Sequence, residues 1–463
     1  MSALKRFACL CLAAALTAAS GRPAVAASSQ PRALWVWDPA ALLTDPDRRR
    51  QFFDFCHVRG IGVAWMQIGT TPAGRGRRDV DHGAEWRELL TDAHRAGLAI
   101  HALDGNPRYA RREQHPLVLA IVDAVIAFNA KAPADQRFDG VHFDNEPYLL
   151  LDWQDPPQRE RLLGDFLDLN ARAQAKARAA GIAYGIDIPF WWQASDDETR
   201  DAIGAVTFHN VRKPASFHCL DMLDNVGIMD YRNVAGGGDG IVAHAQDLLA
   251  YADRAGHARV YVGVETSTTD DAGYWFLTGV PRAAFRDVVT GRARGGEVLD
   301  RGGLTVVADG TTVHLGVRVA ARPTLRDLSD AVGVLADLAR LFALPTGEDA
   351  IATRTGEAIR ALHREGEWQD PRADTFADPV SHRLLGAVRA LRVMLPKLTF
   401  AGKSNDDMER ELSAADAQFA AHASYAGIAV HHWESYRARF DPAPRAAAPS
   451  TPLQHQRCAD CRQ

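Results

Sequence analysis

Cysteine is scarce in this sequence, with 6 in 463 residues, and Cys9 and Cys11 fall inside an N-terminal apolar run. The remainder, Cys56, Cys219, Cys458 and Cys461, are too few to staple a chain of this length, which excludes a disulfide scaffold. An excess of positive charge is missing as well. With 53 lysines and arginines against 58 aspartates and glutamates the net charge is -5, so nothing drives sequence-independent attraction to a phosphate backbone, and nucleic acid is not an expected partner. Beyond the N-terminal run no stretch is long and apolar enough to cross a bilayer, and no internal repeat interrupts the chain. What is present is an ordinary globular composition, 47% hydrophobic and 24% charged, enough for one large domain or a few small ones.

The two ends read as separate from the fold. Lys5 and Arg6 precede an apolar run over residues 7–19, and Ala24, Val25 and Ala26 place small residues where a signal peptidase cuts. That run is shorter than the roughly 20 apolar residues a spanning helix needs. Residues 1–26 are therefore predicted to be a cleaved secretion signal of bacterial type, with the mature protein secreted or periplasmic and without an integral membrane segment. Residues 441–463 begin rich in proline and alanine and are predicted to be disordered. Cys458 and Cys461 have the CxxC spacing with His455 nearby, yet a metal knuckle wants four ligands, and a local disulfide is the simpler expectation. Cys56, in the amphipathic stretch 48–58, is expected to be a small buried hydrophobe.

Between residues 33 and 437 short β-branched or apolar runs alternate with helical patterns, the sign of βα units around a parallel sheet. Strands are predicted at residues 34–38, 62–68, 98–103, 138–146, 183–189, 226–231, 259–265 and 427–433. Eight such strands with helices between them predict an α/β chain folded as a (β/α)8 TIM barrel. The connection between the seventh and eighth strands is abnormally long. It is predicted to hold an α+β insertion over about residues 270–400, with a hairpin at 304–319 turning at Asp309 and Gly310. Helices are predicted at 325–342 and 382–394, and the last barrel helix at 406–421.

The strongest chemical signal is the run Asp139-Gly140-Val141-His142-Phe143-Asp144-Asn145-Glu146-Pro147-Tyr148. On a strand, Val141 and Phe143 face the helices, while His142, Asp144 and Glu146 share the barrel side. Two carboxyls at spacing two lie close, so their ionisations are coupled and one is held protonated toward neutral pH, as a general acid must be. Read without chemistry, the same pair binds arginines or caps a loop. Other polar residues also collect at strand ends, among them Asp38, Asp104, Tyr231, Glu265 and Trp433, and the C-terminal rim is where such barrels keep their active sites.

The run resembles the DGxDxDxE motif on the fourth strand of the chitinase family of glycoside hydrolases, matched at Asp139, Gly140, Asp144 and Glu146, with His142 where the family has an aspartate. Met229-Asp230-Tyr231 is similar to the family's Met-x-Tyr at strand six, and residues 427–433, ending in Trp433, resemble its strand-eight run. Family members often carry an insertion between strands seven and eight. The third strand, Ile100-His101-Ala102-Leu103-Asp104-Gly105, lacks the family's Ser-x-Gly-Gly. The resemblance implies that Glu146 protonates the leaving glycosidic oxygen and that Asp144 orients the substrate's own 2-acetamido group as it attacks the anomeric carbon. It further implies that Tyr231 hydrogen-bonds the acetamido carbonyl and that Trp433 forms the floor beneath the sugar. Asp139, His142, Trp192 and Glu265 are expected among the substrate-binding residues.

A rival pattern uses other residues. Asn145-Glu146-Pro147 also resembles the acid/base motif of the large retaining-glycosidase clan, with Glu265 at the end of strand seven as nucleophile, a covalent route needing carboxyls about 5 Å apart. A barrel that binds glycans without cleaving them is the third reading, with His142 marking a lost site. Flat indoles suit the apolar faces of sugars. Of Trp35, Trp37, Trp65, Trp191, Trp192 and Trp433, the expectation singles out Trp192 and Trp433. Asp187 is read as binding either sugar or a neighbouring loop. His431 and His432 are adjacent and point to opposite faces of a strand, so no metal site is expected and no cofactor is called for. Arg75, Arg77 and Arg78 read as a solvated loop. The expected partner is a poly- or oligosaccharide.

Overall fold

The computed structural model describes residues 30–195, 200–267, 272–289 and 396–440, with the shorter stretches 304–309, 312–320 and 388–392 and a few positions between 333 and 342. Eight parallel strands close into a barrel: β1 (Arg32–Val36), β2 (Ile61–Gln67), β3 (Ala99–Asp104), β4 (Gly140–Phe143), β5 (Ala183–Pro189), β6 (Asn225–Met229), β7 (Arg259–Glu265) and β8 (Tyr425–His431). Each strand pairs with its successor, and β8 closes the ring onto β1 through Ala33 opposite Ala429 and Leu34 opposite Val430. Helices α1 (Pro46–Val58), α2 (Gly83–Arg95), α3 (His115–Ala130), α4 (Pro156–Ala179), α5 (Ala215–Met222), α6 (Ile241–Ala255) and α7 (Asn405–Phe419) precede β2 to β8 in turn, and α8 (Trp433–Ala438) follows β8. This is the (β/α)8 TIM barrel that the alternating pattern predicts.

Local signals explain where the elements begin. Asp45 accepts hydrogen bonds from the Asp47 and Arg48 amides at 2.8 and 3.2 Å, and Pro46 opens α1 where a missing N–H costs nothing. Ser404 caps α7 through the Asp407 amide at 3.0 Å. Along each strand alternate residues separate two apolar layers. Leu34, Val36, Ala64 and Met66 face outward into the large core beneath the helices, with Phe52 and Trp86. Ala33, Trp35, Trp65 and Leu103 face the axis.

Two indoles fill that axis. The Trp35 and Trp65 rings meet edge to face with centroids 4.5 Å apart. Glycines on β6 and β7 make the room: a Cβ on Gly263 would lie 3.0 Å from the Trp35 ring and 2.8 Å from the Ile228 carbonyl oxygen, and one on Gly227 would lie 2.1 Å from the Asp187 carboxylate.

Between β7 and β8 the chain forms a four-stranded antiparallel sheet from Ala272–Pro281, Leu304–Asp309, Thr312–Ala320 and Val388–Arg392. The hairpin expected at 304–319 is present as its second and third strands. The helix expected at 382–394 is corrected, because residues 388–392 are a strand paired with Ala272–Pro281, whose ladder overrides a helical pattern in sequence. The insertion reaches the barrel rim where Arg286 pairs at 2.7 Å with Asp155, in the loop after β4. Most of the helix expected at 325–342, the leader at 1–26 and the tail at 441–463 lie outside the described residues. Among the described residues no helix is long and apolar enough to cross a membrane.

Candidate active site

The fourth strand, expected at 138–146, stops at Phe143, and Asp144 and Glu146 follow one and three residues later, at the C-terminal mouth of the barrel. The Asp144 amide donates to the Asp104 carbonyl at 3.0 Å. Gly105 lies so close that an added Cβ would meet the Asp144 carbonyl oxygen at 2.1 Å, so the ends of β3 and β4 are locked together. Burial holds the Asp144 carboxyl well above the usual carboxylate range, and the negative charges of Glu146 and Asp187 push it further. Its Oδ1 is buried without a hydrogen-bond partner among the described residues. Burial also raises Glu146, with Asp187 adding, while the Tyr148 hydroxyl that donates to its Oε1 and nearby His431 pull it back.

Beneath this pair the axis is polar but closed to solvent. His142 is fully buried and lies flat on Trp65, with ring centroids 4.1 Å apart. Its Nε2 is 2.9 Å from Asp187 Oδ1, a close contact without the alignment of a hydrogen bond. The other Asp187 oxygen accepts from the Trp35 indole N–H at 2.9 Å. Deeper still, His101 is held down to about 4, by burial first and then by His142.

The opposite wall comes from β7 and β8. Glu265, 7% exposed, accepts the Thr266 and Ser267 amides on Oε1 at 2.7 and 2.6 Å, and its Oε2 lies 2.7 Å from His431 Nδ1. Burial pushes this carboxyl up, but His431 and the Ser267 donors outweigh it and leave it below its ordinary value. His431 Nε2 lies 2.8 Å from the Trp37 indole N–H, which can only donate, so Nε2 accepts and Nδ1 carries the proton toward Glu265. Burial lowers the His431 imidazole, and the charges of Glu265, Asp187 and Glu146 raise it more, leaving it above its ordinary value. Tyr231, whose ring centroid is 5.8 Å from His431, is kept a neutral hydroxyl by burial and by the surrounding carboxyls, Glu265 foremost.

The mouth therefore gathers Asp144, Glu146, Tyr231 and Glu265 from the sequence reading. His142 lies beneath them, fully buried, and is corrected from a substrate contact to a support. Asp139 is also corrected: it precedes β4 and accepts the Ile100 amide at 2.7 Å and His94 at 3.0 Å, at the end of the strand away from Glu146. Trp192 is fully buried, stacked at 6.0 Å on Trp153 and edge-on to Phe166 of α4. Trp433 opens α8 and packs edge-on against Phe52 and Phe55 of α1, at 4.8 and 5.1 Å, in the outer layer. β8 stops at His431, two residues before the expected end. Neither indole faces the mouth. Asp187 accepts from Trp35 and lies against His142 rather than binding a loop, and His432 turns to Glu434 at 2.7 Å.

Sequence reasoning gave no role to Tyr148 and did not choose Trp37 among the tryptophans, although both lie at the mouth. Tyr148, two residues beyond Glu146, continues the spacing that marked the carboxyl pair. Trp191 is half-buried beside Tyr148, with ring centroids 5.3 Å apart.

No family model and no curated protein matches this chain. Solved structures similar to it include a chitinase from Chromobacterium violaceum, 12% identical over 68% of this chain and 92% of that one, with a TM-score of 0.33. A GH18 chitinase from Cycas revoluta in complex with (GlcNAc)3 is 14% identical over 71% and 99%, at 0.32. The glycoside hydrolase domain of PgaB (BpsB) from Bordetella bronchiseptica is 14% identical over 51% and 84%, also at 0.32.

Proposed function

We propose that this protein is an exported glycoside hydrolase acting on a glycan that contains N-acetylated sugars. The observation that carries the reading is the carboxyl pair at the barrel mouth: Glu146 with its proton affinity raised, and Asp144 with a buried, unpartnered acceptor oxygen. A protonated Glu146 gives its proton to the glycosidic oxygen as the C1–O bond breaks. The carbonyl oxygen of the sugar's own acetamido group bonds to C1, closing a five-membered ring. The acetamido N–H donates to Asp144 Oδ1, the buried acceptor left without a partner among the described residues, and Tyr231 donates to the acetamido oxygen. Glu146, now a carboxylate, takes a proton from water as that water attacks C1 and the ring reopens, restoring the acid. The predicted secretion signal puts this chemistry outside the cytoplasm.

The ionised Glu265 keeps the covalent route in view as a second reading. Against it, both Glu265 oxygens are already engaged, one by two amides and one by His431, which suits a positioning group better than a nucleophile.

Reducing-end release from N-acetylated and plain oligosaccharides tests the proposal, using the wild type, Glu146→Gln and Glu265→Gln. The expected result is release confined to N-acetylated substrates, at least about 100-fold weaker in Glu146→Gln, with Glu265→Gln only dented. Unchanged turnover in Glu146→Gln sinks the assignment. Release from plain glycans that needs both glutamates supports the covalent route, and binding without turnover in the wild type supports a non-catalytic barrel.

A further inference from the structure

We infer that Trp37, at the end of β1, is the platform on which a sugar ring lies in this mouth, and that Glu265 and His431 set the plane of its indole. The inference rests on the glycosidase reading above and names which residue of that site binds the ring.

The tryptophans divide by exposure. Trp35 and Trp65 form the floor inside the barrel, and Trp192 and Trp433 are buried in the outer layers. Among the tryptophans whose side chains are described, only Trp37 and Trp191 remain partly open. They follow β1 and β5, strands four places apart in a ring of eight, so they stand on opposite walls of the mouth.

Trp37 differs from Trp191 in how it is held. Its ring rests against the inner apolar layer, and its N–H donates to His431 Nε2 at 2.8 Å. The bonds behind it run in one direction: two backbone amides fix Glu265 Oε1, Glu265 Oε2 takes the His431 Nδ1 proton, and His431 Nε2 is left as the acceptor for the indole. Both imidazole nitrogens are spent in this chain, so His431 is not free to shuttle a proton. A flat ring with a fixed plane at the barrel mouth is what stacking on the apolar face of a sugar requires.

Glu265→Gln separates positioning from nucleophilic chemistry. The amide keeps the shape of the carboxylate, but its oxygen stays with the two backbone donors and its NH2 turns to His431 Nδ1. Nδ1 must then accept, Nε2 takes the proton, and two donors face each other at Trp37.

The test titrates the N-acetylglucosamine tetramer into Glu146→Gln by calorimetry, alone and combined with Trp37→Ala, Trp37→Phe or Glu265→Gln, and measures steady-state kinetics of Glu265→Gln in the wild-type background. Trp37→Ala is expected to weaken binding about 10–100-fold, and Trp37→Phe and Glu265→Gln about 3–10-fold each. In kinetics Glu265→Gln should raise KM by that factor and keep kcat within about threefold. Trp37→Phe preserves the ring and stands in if the alanine variant fails to fold. Equal binding by Glu146→Gln with and without the Trp37 substitutions overturns the platform while leaving the glycosidase reading intact. A collapse of kcat in Glu265→Gln at unchanged KM overturns the positioning role. If the wild type neither binds nor cleaves the tetramer, its deacetylated form or cellotetraose, both readings fall together.

Discussion

Tyr148 donates to Glu146 and so stabilises the charged form of the carboxyl that must act as an acid. Burial opposes it and wins, leaving Glu146 above its ordinary value but lower than burial alone would set it. Activity should therefore decline as pH rises through the raised Glu146 value. Tyr148→Phe removes a hydrogen bond to the carboxylate, raises that value further and moves the alkaline limb of the kcat/KM profile to higher pH. A limb that moves down or stays in place contradicts the assignment of that limb to Glu146. Residue by residue, a place at the mouth was legible wherever a side chain stands at or just past a strand's C-terminal end. Glu265, the last residue of β7, follows from strand alternation, and Asp144, Glu146 and Tyr231 follow from their place just past the C-terminal ends of β4 and β6. Asp139 meets neither condition: it has the parity of Val141 and Phe143, which face the helices, and it stands before β4, at the end away from the mouth.

At the scale of elements, the errors cluster where strands stop. Alternation fixes a side chain's direction only while the backbone stays extended. β5 ends at Pro189 and β8 at His431, so the pattern carried on to Trp192 and Trp433 points to the wrong side. Glycines test the opposite regime, in which an element is fully set by its neighbours. Gly263 on β7 faces Trp35 and the Ile228 carbonyl, and Gly263→Ala should destabilise the fold by about 1–3 kcal/mol through overpacking. Gly164, within α4, has open space where a Cβ would go, and Gly164→Ala should stabilise it by about 0.5–1 kcal/mol. Chemical denaturation of the two variants checks both signs, and a destabilised Gly164→Ala would mean that the space beside Gly164 of α4 is filled.

For the molecule as a whole, buried carboxyls dominate the response to pH. Asp104 and Asp230 are each pushed up to about 6 by burial, and Asp144 and Glu146 are raised as well. A raised carboxyl binds its proton in the folded state before the unfolded chain does. Stability from these groups therefore grows as pH falls through the folded values, until the unfolded carboxyls protonate near 4. His101, lowered to about 4, and His115 and His218, also lowered by burial, act the other way below about 6.5. Below pH 4 the lowered carboxyls of Glu265 and Asp239 add to the loss. The expected outcome is a Tm a few degrees higher at pH 5.5 than at pH 7.5, with a fall below pH 4. A steady decline from pH 7.5 to 5.5 would show that the histidines prevail.

The sequence by itself determined the barrel, because period-two and helical patterns repeat along the chain and each can be read within its own segment. It also determined the carboxyl pair that follows β4, because two residues apart in the chain is a local relation even past the strand's end. Only the tertiary structure decided which tryptophans face the mouth, that Asp187 lies under the site with His142, and that Glu265, His431 and Trp37 form one chain of hydrogen bonds. Those relations join residues up to 394 positions apart, and they depend on where the ring closes and where each strand stops, which no short window of sequence contains.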